Sequence, residues 1–476
     1  MDSRPLGQSE RAGADLGRLA LVLVGVAAPL SVLALIATQG VPVPVWDQWE
    51  LVPLLEKFRG GVLAFDDLWK QHNEHRLVAP LALMVALAAL SGWNIYLELA
   101  ASFLFACGTL ALLASLLRAT FEGQVPRWLL AAFSLVVFSL SQHENWLWGW
   151  QLQWFMVAFG SVLAIWALQR WPGQARGVLV AALGALLASL SLSSGLLVWV
   201  AALALLARSH GPRWLLCWCG AALAVFAAFF AGFETPPGHP SRSAFLATPL
   251  EFLRYVATYL GLPLGACDPV LAPLAGVTTV LALAVALTAA VRRDRGAFSR
   301  FLPWLTLAFF ALLSAAATGV GRVGFGAQQA LSSRYATLAN LLLLATLVAC
   351  ALAWDHPGRA TASRRSRTLV VALATLAVSA HAATCWISTN LAVMRSAALA
   401  EARAEWLAYP RTSLDAFGVL YPIEHVSLIR ERSGTLRDLG YLLPPEPDAT
   451  RPRRGMRRRG EAAEPAPQPA APPAKQ

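Results

Sequence analysis

Apolar residues recur along the chain in blocks of about 15 to 25, the length that crosses a hydrocarbon layer at a helical rise of about 1.5 Å per residue. The blocks lie near 19–37, 94–117, 127–141, 150–169, 176–192, 195–207, 214–232, 269–291, 301–318, 335–353 and 368–388. A further apolar run, 77–90, is short, starts beside Arg76 and Pro80, and ends at Ser91-Gly92-Trp93-Asn94, a turn-like break. It reads as a helix lying in the interface. The pattern therefore predicts an all-α, polytopic helical membrane protein with about 11 transmembrane helices and additional interfacial helices.

Arginine sets the side on which each connection falls. With residues 1–18 in the cytoplasm and 77–90 interfacial, Arg118/Arg127, Arg170/Arg176, Arg208/Arg213, Arg292/Arg293/Arg295/Arg300 and Arg359/Arg364/Arg365/Arg367 all face the cytoplasm, as the positive-inside rule requires. If 77–90 crossed, every one of these clusters would move outside. The membrane domain 19–391 then presents four polar stretches on its outer face: 38–76, 142–149, 233–268 and 319–334. An odd number of crossings also puts 392–445 outside, as a small segment opening with an amphipathic helix through Arg403 and Trp406. Residues 446–476 are rich in Pro, Ala and Arg, cannot bury a core, and are expected to be disordered.

Composition agrees with this picture. The chain is 57% hydrophobic and 14% charged, against about 25% charged residues in soluble domains, which argues against a water-soluble enzyme. The net charge of +11 sits in short clusters between apolar runs and in the tail, so it fits membrane topology and calls for no nucleic-acid partner. Five of the six cysteines fall inside apolar runs, and no His or Cys pair completes a zinc site around Cys217 and Cys219. Helical spans point to a bacterial inner (plasma) membrane, because outer-membrane spans are strands.

The outer stretches carry the candidate chemistry. The first contains Trp46-Asp47-Gln48-Trp49-Glu50, Phe65-Asp66-Asp67-Leu68-Trp69 and His72-Asn73-Glu74-His75-Arg76. Carboxylates held among aromatics suit proton transfer, and tryptophan stacks on sugar rings; the plainer account is an interfacial aromatic belt. On a helix His72 and His75 would share a face, and with Asp47 they are candidate ligands for a divalent metal ion. A second cluster, Gln142-His143-Glu144-Asn145-Trp146 with Trp148, Trp150, Gln151 and Trp154, suggests a cavity shared with the first. The glycine-rich stretch Gly319–Gly326 surrounds Arg322 and leads to Ser333-Arg334-Tyr335 at the lip of a span. There a fixed guanidinium can pair with a phosphate, although ordinary snorkelling also explains such an arginine. Arg242 and Arg254 are weaker candidates, and Glu251–Leu264 reads as an interfacial amphipathic helix.

A first span, a long outer loop opening at Asp47, an interfacial helix at 77–90, the run Trp93–Arg118 and a late Arg334-Tyr335 element together resemble the multi-spanning GT-C glycosyltransferases over roughly residues 19–390. Protein O-mannosyltransferases and lipid A aminoarabinose transferases are examples. The resemblance implies a polyprenyl-phosphate-linked sugar donor, a membrane lipid as partner and an acceptor hydroxyl. It assigns Asp47 as base and Arg334 to the lipid phosphate, with Tyr335 and Arg322 as further candidates for that phosphate from the sequence itself. The adjacent acidic pair frequent in that family appears here as Asp47 and Glu50 separated by Gln48 and Trp49, so Glu50 and Glu74 stay open as alternative bases. Trp46, Trp49, Trp146, His143, Glu144 and Asn145 are the candidate substrate-binding residues. A transporter or lipid flippase, and a non-catalytic assembly protein of envelope polysaccharide synthesis, are the competing readings. Transporters more often carry ionisable residues at the bilayer midplane, where these spans hold almost none.

Overall fold

The computed structural model describes residues 8–236, 238–241, 243–265, 267–354, 364–408, 417–422 and 426–442; the predicted tail 446–476, Arg242 and Arg359 lie outside them. Apart from one two-residue hairpin, the regular elements among the described residues are all helices. Eight of these are long and apolar enough to cross a membrane: Asp15–Gln39, Ile95–Thr120, Gly149–Arg170, Pro212–Phe230, Leu271–Arg293, Gly296–Phe325, Ser333–Trp354 and Val371–Ala408. Leucines such as Leu216, Leu223 and Leu281 stand largely exposed on them, an arrangement that lipid favours and water does not. The chain is a multi-pass, all-α membrane protein.

In chain order the elements used below are α1 (Gln8–Gln39), α2 (Leu51–Arg59), a hairpin of β1 (Gln71–His72) and β2 (His75–Arg76), α3 (Val78–Ser91), α4 (Ile95–Thr120) and α5 (Arg127–Val137). They continue with α6 (Leu152–Arg170), α7 (Ala175–Ser189), α8 (Ser193–Ser209) and α9 (Pro212–Phe230). The last are α10 (Pro249–Gly261), α11 (Leu271–Arg293), α12 (Gly296–Arg322), α13 (Ala336–Trp354), α14 (Arg364–Ala408) and α15 (Val426–Leu439).

Three of the expected crossings are short helices. The run 127–141 is helical for only 11 residues in α5, and α7 has 15. The expected crossing at 195–207 falls within α8. The early end of α5 has a local cause. Gln142 Nε2 donates to the carbonyl of Val137 (2.6 Å) and Asn340 Nδ2 to that of Val136 (2.9 Å), so carbonyls released at the helix end stay bonded inside an apolar bundle. α6 and α7 approach closely through glycine: a Cβ on Gly160 would lie 2.5 Å from the Gly184 carbonyl, the small-residue contact typical of membrane helices.

The last long helix continues past 392, where the sequence starts its C-terminal segment. α14 runs unbroken for 45 residues, because 391–408 holds strong helix formers and neither Gly nor Pro. At about 1.5 Å per residue it outreaches a bilayer core. Its far end is tied to the chain after α1: Ser396 Oγ donates to the Gln39 carbonyl (2.7 Å), Arg403 Nε to that of Pro42 (3.2 Å), and the Trp406 and Trp49 rings meet edge to face at 5.6 Å.

Candidate functional site

A cavity of about 510 Å³ lies where the polar connections converge, within the range of small-molecule sites. Asp47 reaches it from a 3-10 turn, Trp46–Glu50, held from beneath. Gln48 Nε2 donates to Glu98 Oε2 (2.6 Å) and Trp93 Nε1 to Glu98 Oε1 (2.8 Å), with Glu98 fully buried; Trp148 Nε1 donates to the Val45 carbonyl (3.1 Å). Glu98 has no place among the sequence candidates, though an acidic residue alone in an apolar run was its signal. Asp47 itself keeps 38% of its side chain exposed and faces His72 Nε2 at 3.5 Å.

His72 and His75 are not on a helix. They are directly paired across the β1–β2 hairpin, whose turn Asn73 closes at φ +49°, a left-handed conformation that Asn tolerates. His72 packs on Trp150 at 5.2 Å, and His75 Nδ1 bonds to Ser193 Oγ at 2.8 Å. Buried Arg76 stitches the hairpin to the end of α9, its Nε donating to the Phe229 carbonyl (2.7 Å) and Nη2 to that of Ala231 (2.5 Å). Glu74 accepts from Arg322, whose Nε lies at 2.9 Å, and stands 3.9 Å from His239. Burial favours its neutral acid, yet the charges of His75 and Arg322 outweigh burial and hold the carboxyl down to about 2. Burial, assisted by Arg322 and His72, pushes His75 down to about 4. Among the described residues no group of three His, Cys, Asp or Glu side chains is gathered as a metal ion requires. His75 is bonded to Ser193 through Nδ1.

Arg334 enters from a turn, Ser333–Tyr335, that opens α13 and lines the same cavity. Its Nε donates to Ser332 Oγ (2.8 Å), and its terminal amino groups make no hydrogen bond among the described residues. The turn is fastened from behind. Glu144 Oε2 accepts from Ser332 Oγ (3.1 Å), Ser333 Oγ (3.0 Å) and the Arg334 amide (3.3 Å), while Arg395 Nη1 of α14 donates to Oε1 (3.0 Å). Asn145 Nδ2 donates to the Arg334 carbonyl (2.9 Å). Burial works against ionising Glu144, but Arg334 and Arg395 prevail and hold it down to about 2; burial, with Arg395 adding to it, pushes His143 down to about 4. Tyr335 stacks on Tyr259 at 4.9 Å and meets Trp154 at 5.6 Å.

The residues singled out in the sequence thus divide. Asp47, His72, Glu74, His75, Arg322, Arg334 and Tyr335 come together on the cavity wall. Glu50 does not: Arg432 of α15 clasps both its oxygens at 2.8 and 3.1 Å. Trp49 and Trp146 are fully buried in the core, and half-exposed Trp46 lies off the wall. His143, Glu144 and Asn145 sit behind the Arg334 turn and not on the wall. Arg254 pairs locally with Glu251 at 4.0 Å. Phe226, Phe229, Phe230 and Phe233, at and just past the end of α9, add an apolar part of the wall that the sequence reading did not anticipate. Most of α9 is not buried in protein, with Leu216 and Leu223 largely exposed.

Each of His75, His143, Glu74 and Glu144 binds its proton less readily than its unfolded counterpart, so each stabilises the fold at neutral pH and ceases to do so in acid. The loss begins as pH falls from 6.5 towards about 4 for the histidines and continues from 4.5 towards about 2 for the carboxylates. Thermal unfolding of the purified protein between about pH 7 and about pH 4.5 is expected to show a steadily falling midpoint; a flat profile would contradict these assignments.

No protein-family model, curated protein or solved structure matches the chain.

Proposed function

We propose that the chain is an integral-membrane, GT-C-like glycosyltransferase moving a sugar from a polyprenyl-phosphate donor to an acceptor hydroxyl on the outer face of the inner membrane. The observation that carries this reading is one cavity that joins the accessible carboxylate of Asp47, the guanidinium of Arg334 and the phenylalanine wall of α9. A lipid-linked sugar phosphate needs all three: a base for the acceptor, a cation for the leaving phosphate and an apolar path for the chain.

In this reading Asp47 takes the proton of the acceptor hydroxyl as its oxygen attacks the anomeric carbon. The bond from that carbon to the phosphate oxygen breaks, with inversion. Polyprenyl phosphate leaves with the electron pair, stabilised by Arg334, which the Glu144 brace orients before reaction. Glu74 is a poor base because its partner Arg322 favours the ionised, weakly basic carboxylate.

The same reading supplies a topology in which α5, α7 and α8 cross together with the eight long helices, eleven crossings in all. Cavity residues fall at the start of α6, α8 and α13 and the end of α9 and α12, opposite the arginine-rich ends at Arg118, Arg170, Arg208 and Arg293. α3 begins beside Arg76 and is followed by α4, whose first turn carries Glu98 under the Asp47 turn, which supports an interfacial helix returning to the side it left. The cavity then opens outside, with the N-terminus cytoplasmic.

The test is release of polyprenyl phosphate by purified protein in lipid nanodiscs supplied with defined polyprenyl-phosphate sugars and candidate acceptors. Release that depends on Asp47 and Arg334 is expected. Folded protein that neither binds nor turns over any donor of a broad panel would move the reading to transport or scaffolding.

A further inference from the structure

Three uncharged polar side chains on the cavity wall are left without partners. Gln151 and Gln153, bracketing the first residue of α6, and Ser194, at the start of α8, are 1%, 5% and 8% exposed. All three line the cavity. Gln151 Oε1, Gln153 Oε1 and Ser194 Oγ have no hydrogen-bond partner among the described residues. Folded chains seldom keep buried polar atoms unsatisfied without a use for them.

Their position says what they meet. Trp150, in the turn that opens α6, and Trp154, in the first turn of α6, line the same wall. Trp150 touches His72, the neighbour of Asp47, and Trp154 touches Tyr335, the neighbour of Arg334. The unpartnered groups therefore lie along the stretch that links the carboxylate to the guanidinium. Amides and a hydroxyl offer hydrogen bonds without net charge, and indole rings offer a flat apolar face. That combination matches a pyranose ring.

We infer that Gln151, Gln153 and Ser194, with Trp150 and Trp154, form a subsite for the hydroxyls of an uncharged sugar. This rests on the reading above for the lipid and phosphate, and it deepens that reading by selecting neutral sugars over amino sugars or uronic acids. Of the two carboxylates on this wall, Glu74 is already paired with Arg322 and Asp47 lies beside His72, so neither is left without a cationic or imidazole neighbour to attract an amino sugar.

The test uses full-length protein in nanodiscs, with tryptophan fluorescence as the binding signal. The ligands are polyprenyl phosphate, its neutral-hexose, amino-sugar and uronic-acid derivatives, and free methyl hexopyranosides. The wild type is expected to bind the neutral-hexose lipid at least about tenfold tighter than sugar-free polyprenyl phosphate, one good hydrogen-bonded contact's worth. Gln153→Leu and Ser194→Ala should erase that advantage and leave sugar-free binding unchanged. Their thermal stability should be unchanged or higher, because an unsatisfied group has been removed. A purely structural glutamine would instead destabilise when replaced.

Charged-sugar lipids bound as tightly as neutral ones would overturn the subsite. So would variants that weaken both lipids equally, or that leave hexose binding intact. If the wild type binds methyl hexopyranosides in a Gln153-dependent way but neither lipid, the subsite stands and the transferase reading falls. If folded protein binds none of the ligands, both fall.

Discussion

Asp47→Asn is expected to lower sugar transfer by about 10²- to 10⁴-fold, the usual worth of a positioned general base, with membrane insertion and thermal stability unchanged. The asymmetry comes from how Asp47 is held. The turn around it is fixed by Gln48, Trp93 and buried Glu98, while the Asp47 carboxylate is partly exposed to the cavity and approaches His72 only to 3.5 Å. Neutralising it removes chemistry and almost no structure. Glu50→Gln should behave oppositely. It loses the charge and one of the two bonds of the Arg432 clasp, keeping one acceptor oxygen for Arg432 and Tyr421, so the contact of α15 with α2 loosens and stability falls while transfer by the surviving folded fraction persists. Single-turnover release of polyprenyl phosphate beside a thermal melt separates the two. Near-normal turnover in Asp47→Asn would remove Asp47 from the reaction and return the role to another carboxylate.

The opposite behaviour of two acids three residues apart marks where sequence reasoning stops. Asp47 and Glu50 share a segment and a composition, and what separates them is Arg432, 382 positions away from Glu50 in the chain. Glu144 is likewise defined by Arg395, 251 positions away. No local pattern carries such contacts. What the pattern of apolar runs does carry is which polar connections come together: residues from 38–76, 233–268 and 319–334 all meet on one cavity wall, and 142–149 braces it. This was legible because polar connections collect at the ends of apolar helices before any tertiary contact forms. The hairpin at His72 and His75 was a missed local signal, since Asn73 between polar neighbours favours a left-handed turn over a helix. The tryptophans misled for another reason. Indoles that suit a sugar also suit a core, and Trp49 and Trp146 are spent there, whereas Trp150 and Trp154 reach the cavity.

Glu144→Ala is expected to cost about 3 kcal/mol of stability, near the lower end of what breaking a buried ion pair costs because both partners retain some solvent, and to weaken donor binding as well. Three groups lose their acceptor at once: the hydroxyls of Ser332 and Ser333 and the amide of Arg334. Arg395, seated 5.3 Å over the Trp148 ring, loses its counter-charge. A double change separates the two consequences. Glu144→Ala with Arg395→Met removes the stranded cation and should recover much of the stability, yet it cannot restore the acceptor for the Arg334 amide. If the brace serves to aim Arg334 at the phosphate, the double variant will melt near the wild type and still bind polyprenyl phosphate poorly. Recovery of both properties together would mean that Glu144 serves only to balance Arg395, and that Arg334 holds its place through Asn145 and Ser332 alone.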